Sequence, residues 1–174
     1  MPLILIKEDG TGRPDANSYA DIPQGHEFFA GHLYADYWEA TTDERRARAL
    51  VMATKLINAE WQFNGETAVA GQALQWPRAE CPDPDGEPRA FVAANLVPVA
   101  VVHATCQLAL RLLQKDRTED PPGEGIFSEW TEFTGKKYDA TTRKPALPAW
   151  VQNYLLKYGV PIRKAPGIVK LVRV

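Results

Sequence analysis

Cys106 and His103 stand three residues apart in PVAVVHATCQLALRLLQKD, the spacing at which one helix could bring a thiol and an imidazole together. Such a pair could make a nucleophile, the imidazole drawing off the proton as the thiolate attacks. A reactive thiol must be exposed and electropositive, however, and the same periodicity puts Cys106 with Val102, Leu110 and Leu113 on an apolar side. Cys106 therefore reads as a core residue, and His103 as a solvated or hydrogen-bonded one. His26 and His32, six apart, fall on different faces of a helix, and Cys81 and Cys106 have no zinc spacing. DPDGE at 83–87 resembles a fragment of a calcium loop but lacks the ordered ligands and the closing glutamate. No Gly-x-Ser-x-Gly or paired-carboxylate pattern stands out. The expectation is a protein with no catalytic residue, no cofactor and no metal.

The run EDGTGRPDANSYAD at 8–21 could be mistaken for a phosphate cradle. A P-loop needs a Lys followed by Ser or Thr, whereas Gly10 and Gly12 precede Arg13-Pro14 and no Lys occurs between Lys7 and Lys55. A dinucleotide fingerprint needs a third glycine where Asp15 stands, and that carboxylate would repel a pyrophosphate. The run reads instead as a turn leading into the first helix.

The chain's 174 residues fit one domain, with or without arms; roughly 70% of the unfolded surface of such a chain can be buried. Hydrophobic content of 45% with 24% charged residues is that of an ordinary globular chain, and 14 prolines predict long irregular connections. A formal net charge of -2 argues against a dedicated sequence-independent nucleic-acid binder, whose affinity comes from Lys and Arg displacing phosphate counterions. The two cysteines suit a reducing compartment, and MPLILI is too short for a secretion signal and lacks a basic leader. An intracellular product with no membrane span is expected.

Local patterns place the elements. PLILIKEDG reads as a short strand or packed arm. Asp21 and Gln24 have capping-box spacing, which predicts a short helix from near Ile22. Thr41 and Glu44 repeat that spacing before Ala47, Leu50, Val51, Thr54, Ile57 and Trp61, which predicts a helix over about 42–63 with Asp43, Arg45, Arg46, Arg48, Lys55 and Asn58 on a solvated face. A single helical turn is expected around 72–76 in a proline-punctuated connection. A central or interface helix follows Pro98, its polar strip being His103, Gln107, Arg111 and Gln114. DRTEDPPGEG reads as a linker, IFSEWTEFTGKKYDA as a strand or hairpin, and ALPAWVQNYLLKYG as a last helix from about 148 capped by Gly159.

Asp9-Gly10-Thr11-Gly12, Asn17-Ser18-Tyr19, QALQWPR at 72–78 and ATCQLALRLL at 104–113 together resemble, over about residues 6 to 114, a bacteriophage family labelled DnaT-like single-stranded-DNA-binding. Proteins of that family look like the helical head–tail adaptors, or head-completion proteins, that form a ring beneath the portal of tailed phages. The resemblance implies a mainly α fold, a small connector-like helical bundle with a β-hairpin or strand insertion and extended terminal arms. The expected division is a helical core with an N-terminal arm (1–115), a linker, strand or hairpin and last helix of the same domain (116–159), and an extended C-terminal arm (160–174). Asp9, Gly10, Asn17, Ser18, Tyr19, Trp76, Pro77 and Arg78 are then structural motif residues.

Two features depart from the family pattern. Val99, Val101 and Val102 stand where charged residues are expected, and the basic tail extends beyond the matched region. In that tail Arg163, Lys164, Ile168, Val169, Lys170, Leu171, Val172 and Arg173 form a candidate partner-binding arm able to add a strand to a neighbour. The implied partners are further copies of the chain in a ring, a dodecamer by resemblance, together with the portal and tail or neck proteins and non-specific DNA in the channel. The implied location is the virion neck, assembled in the host cytoplasm. The alternative takes the label literally, as a single-stranded-DNA-binding protein of phage replication with Trp61, Trp76, Trp130 and Trp150 as stacking platforms and the arginines on the backbone.

Overall fold

The computed structural model describes residues 3–118, 128–130, 135–137 and 145–162, with side chains described for 3–118 and 145–162. The elements in chain order are α1 (Ile22–Ala30), α2 (Asp36–Glu39), α3 (Asp43–Glu60), β1 (Trp61–Phe63), β2 (Glu66–Thr67), β3 (Arg78–Ala79), α4 (Val99–Gln114), β4 (Ser128–Trp130), β5 (Gly135–Lys137), α5 (Ala149–Leu155) and β6 (Gly159–Pro161).

Asp21 starts α1 as its spacing predicts. Its carboxylate accepts from the Gln24 amide at 2.9 Å, and the Gln24 side chain accepts from the Asp21 amide at 3.2 Å. Both amides would otherwise be left over at a helix start. The corresponding box at Thr41 and Glu44 does not form, because Thr42 is the N-cap of α3 and its side chain makes no capping bond. Arg46 joins the two helices instead. Its Nε donates to the Trp38 carbonyl and its Nη2 to the Glu39 carbonyl, both at 2.9 Å, and the guanidinium lies 5.7 Å from the Trp38 ring centroid. Arg46 is therefore buried, and not on the solvated face expected of it.

The helix expected to reach residue 63 stops at Glu60. Trp61, Gln62 and Phe63 alternate buried, exposed, buried and pair antiparallel with β6, Trp61 opposite Pro161 and Phe63 opposite Gly159. A remote strand thus competes successfully with helix continuation, since it satisfies the backbone while both aromatic rings stay inside. Gly159 opens β6 and is not the cap of the last helix, whose C-cap is Leu156. A side chain at Gly159 would collide with the Gln62 carbonyl and Phe63. The boundary expected at 160 falls inside this strand, and the Ile162 amide goes on to donate to the Glu60 carbonyl at 2.9 Å. The candidate arm residues Arg163, Lys164, Ile168, Val169, Lys170, Leu171, Val172 and Arg173 lie outside the described residues.

Between β1 and α4 the chain is extended and bent. β2 pairs with β3, an isolated bridge joins Pro82 to Phe91, and residues 73–75 form bends in place of the helical turn expected around 72–76. The last helix begins at Ala149, and β4 and β5 form the antiparallel hairpin expected within 126–140. α4 is the centre of the molecule: Val101, Ala104, Cys106 and Leu108 are fully buried, and α3 and α5 pack against it. The architecture is a small mixed α/β domain, which corrects the expectation of a mainly α bundle. Strand pairing between distant segments is the physical reason, because hydrophobic periodicity does not record it.

Candidate functional site

The loop at 8–13 builds an anion cradle and fills it itself. Gly10 and Gly12 take φ values of +98° and +73°, a conformation that turns nearby amides toward one point. Glu8, only 2% exposed, accepts there from the Gly10 and Gly12 amides at Oε1 and from the Arg13 amide at Oε2, each at 2.9 Å. Those amides are taken, so the loop offers them to no phosphate. Asp9 accepts from the Thr11 amide and hydroxyl, and Gly10 lies against the Asn95 carbonyl with no room for a side chain. Asn17 holds the N-terminal segment, accepting from the Ile6 amide at 2.9 Å and donating to the Ile4 carbonyl at 2.8 Å, while the Ser18 hydroxyl donates to the Ala20 carbonyl. Glu8→Gln sets an NH₂ group against one of these amides. It is expected to cost about 1–3 kcal/mol of stability in urea unfolding; an unchanged midpoint would refute the internal-anion role.

The second motif segment is equally inward-facing. Tyr19 is fully buried, its hydroxyl donating to Asn58 Oδ1 and accepting from the Gln75 amide, and burial pushes its ionisation up. Trp76, joined to Pro77 by a cis peptide bond, lies edge-on to Phe63 and Tyr158 with centroids 5.6 and 5.9 Å away. Arg78 donates to the carbonyls of Asn64 at 2.6 Å, Gln75 at 3.0 Å, and Gly65. Burial pulls its pKa down. These residues tie the 64–78 segment to the core and present no surface to a ligand.

Cys106 and His103 do not form a catalytic pair. Burial pushes the Cys106 thiol up to about 12, and it makes no side-chain hydrogen bond to His103, whose ring is 4.6 Å from Phe28 and 6.2 Å from Tyr154. Burial lowers the His103 pKa as well. Among the described residues no three His, Cys, Asp or Glu side chains gather as a metal site, and no helix is long and apolar enough to cross a membrane.

An open concave surface lies elsewhere, where three separated segments meet. The connection from α1 to α2 brings His32 and Tyr34, and the His32 Nδ1 accepts from the Tyr34 amide at 3.2 Å. Gln107, Leu110, Arg111 and Gln114 recur at helical spacing along one side of α4, and Trp150, Asn153 and Tyr154 come from α5. Together they line a groove of about 710 Å³. Tyr34 is 71% exposed and Trp150 is 42% exposed, so aromatic surface faces solvent. None of the lining residues is acidic. Arg111 Nη1 donates to Gln114 Oε1 at 2.9 Å, and among the described residues no carboxylate pairs with it. Arg117 is held by the carbonyls of Pro145 and Ala146 just before α5; burial and then the charge of Arg111 lower its pKa. Two guanidinium groups and the exposed Lys115 thus cluster at the C-terminal end of α4.

Of the tryptophans named as stacking platforms, Trp61 and Trp76 are fully buried, the Trp130 side chain lies outside the described residues, and only Trp150 reaches the groove. The polar strip of the central helix is legible in the sequence without an assigned role, and three of its members, Gln107, Arg111 and Gln114, form a wall of the groove. Tyr34 carried no periodic signal.

The chain is thus a small mixed α/β domain whose open site combines flat aromatic surface, amides and cations, the chemistry of a binding domain. A family model described as "Putative DnaT-like ssDNA binding protein" matches residues 1–174, and the chain belongs to that family. No curated protein and no solved structure matches it. The family description overturns the expectation of a ring adaptor, and the virion, connector, portal and tail assignments fall with it; DNA contact, held as the alternative, is what the match favours. Net charge is an average over the surface. A total of -2 coexists with a groove that has no acidic lining and basic residues nearby.

Proposed function

We propose that the protein binds single-stranded DNA in the groove between the α1–α2 connection, α4 and α5, without performing a reaction on it. The observation that carries this reading is the pair of exposed rings, Tyr34 and Trp150, in an acid-free groove beside Arg111. Unpaired bases have free faces to stack on such rings, and stacking tolerates any sequence because every base has a π-face. Arg111, Lys115 and Arg117 supply backbone charge. The family match to a single-stranded-DNA-binding description supports the same reading.

Trp38, Trp61 and Trp76 are fully buried, which makes Trp150 the reporter among the described tryptophans. Titration with an oligo(dT) of about twelve nucleotides at low salt should quench tryptophan fluorescence with micromolar affinity. With three cations on the backbone, the slope of log affinity against log salt should be about -2. Trp150→Phe should remove most of the quench. A quench that survives Trp150→Phe undiminished would overturn the assignment to this groove, and absence of binding would overturn the function.

A further inference from the structure

Of the polar side chains that line the groove, Gln107 is the buried one. Gln107 is only 9% exposed, at the buried centre of α4, yet its side-chain amide makes no hydrogen bond among the described residues. Nor is it among the buried polar atoms sealed away without a partner, which are the indole nitrogens of Trp38, Trp61 and Trp76. Its nitrogen and oxygen therefore keep an opening, and Gln107 is one of the groove's lining residues. A nearly buried amide without a protein partner gains from any ligand group that can bond to it. Other amides nearby do have protein partners: Gln114 Oε1 accepts from Arg111 Nη1 at 2.9 Å, and the Gln152 amide donates to the Leu147 carbonyl at 2.8 Å.

We infer that Gln107 reads the Watson–Crick edge of an unpaired base held in the groove. The inference rests on the single-stranded-DNA reading above and extends it from stacking to edge recognition. A carboxamide sets one acceptor beside one donor. Each DNA base sets one donor beside one acceptor on its pairing edge: N6–H and N1 of adenine, N3–H and O4 of thymine, N1–H and O6 of guanine, N4–H and N3 of cytosine. Turning the amide over lets it match any of the four. The contact is therefore blind to sequence and selective for strand state, because in a duplex these edges are already paired. Stacking on the rings recognises the face of a base, whereas Gln107 recognises that its edge is free.

The test uses the full chain and two oligonucleotides of equal length and charge, oligo(dT) and its N3-methylthymidine analogue, which keeps the ring face but loses the N3–H donor. Wild-type protein is expected to bind the methylated oligomer about tenfold more weakly, within the range of a lost edge contact. Gln107→Met keeps the side-chain length without the amide. It should bind oligo(dT) about as weakly as wild type binds the analogue, and should no longer distinguish the two. Circular dichroism and the melting midpoint verify that this variant is folded, and Gln107→Asn, which keeps the amide on a shorter stem, provides a second folded variant in which discrimination is reduced. Equal binding of both oligomers by wild type would overturn the edge reading while leaving the stacking site intact. Discrimination that persists in Gln107→Met would do the same. Failure of wild type to bind either oligomer would overturn the groove assignment and this inference together.

Discussion

Replacing Tyr34 and Trp150 together by alanine is expected to weaken oligo(dT) binding by about 100-fold or more at low salt. Each base stacked on an aromatic side chain contributes about 1–3 kcal/mol, and every 1.4 kcal/mol or so is a factor of ten in affinity. Because both rings are already substantially exposed, their removal takes little from the core. The melting midpoint should therefore stay close to that of wild type while binding collapses, a separation that buried tryptophans cannot give. Trp76→Ala is the contrasting control: Trp76 is fully buried against Phe63 and Tyr158, so its loss should cost about 3–5 kcal/mol of stability and affect binding only through the fold. A double variant that binds within threefold of wild type would sink the groove as the DNA site.

The largest stability effect of a single polar substitution is expected at Arg78→Met. The guanidinium is bound to three carbonyl oxygens, those of Asn64, Gly65 and Gln75, with no carboxylate among its hydrogen-bond partners. Methionine fills similar space but leaves those acceptors without their donor. Charge-assisted bonds are stronger than neutral ones, and the summed loss is about 3 kcal/mol or more, seen as a lower urea midpoint. For a chain of this size that corresponds to a melting point lower by roughly 6–12 °C. Arg78→Lys should recover less than half, because a single ammonium cannot span the same fork. A midpoint unchanged in Arg78→Met would mean that water replaces the guanidinium at no cost, contrary to its burial.

Arg78 and Arg46 also mark what sequence patterns miss. Both were visible as basic residues, Arg46 seeming to belong to a solvated helix face and Arg78 to a motif. Each instead spends its guanidinium on backbone carbonyls at the end of a neighbouring segment. Arg46 also pairs with Asp43 at helical spacing, a signal that fits an exposed face equally well; its bonds to the Trp38 and Glu39 carbonyls, like those of Arg78, leave no mark in the charge pattern. Glu8 behaves similarly, as an acidic residue whose partners are amides of its own loop.

The sequence by itself determined the features whose partners lie within a few residues: the Asp21–Gln24 capping box, the central helix after Pro98, the start of the last helix, and the strand character within 126–140, where Ser128–Trp130 pairs with Gly135–Lys137. Those interactions recur at fixed short spacings, so the pattern and the contact carry the same information. Only the tertiary structure decided that Trp61–Phe63 leaves its helix to pair with Gly159–Pro161, and that three segments far apart in the chain enclose the groove. His32 and Tyr34, Gln107 and Arg111, and Trp150 and Tyr154 each look like ordinary surface or packing residues in their own segments. They become a site because α4 packs against α5 and the α1–α2 connection closes beside them, a juxtaposition set by burial of the shared core and by no local spacing.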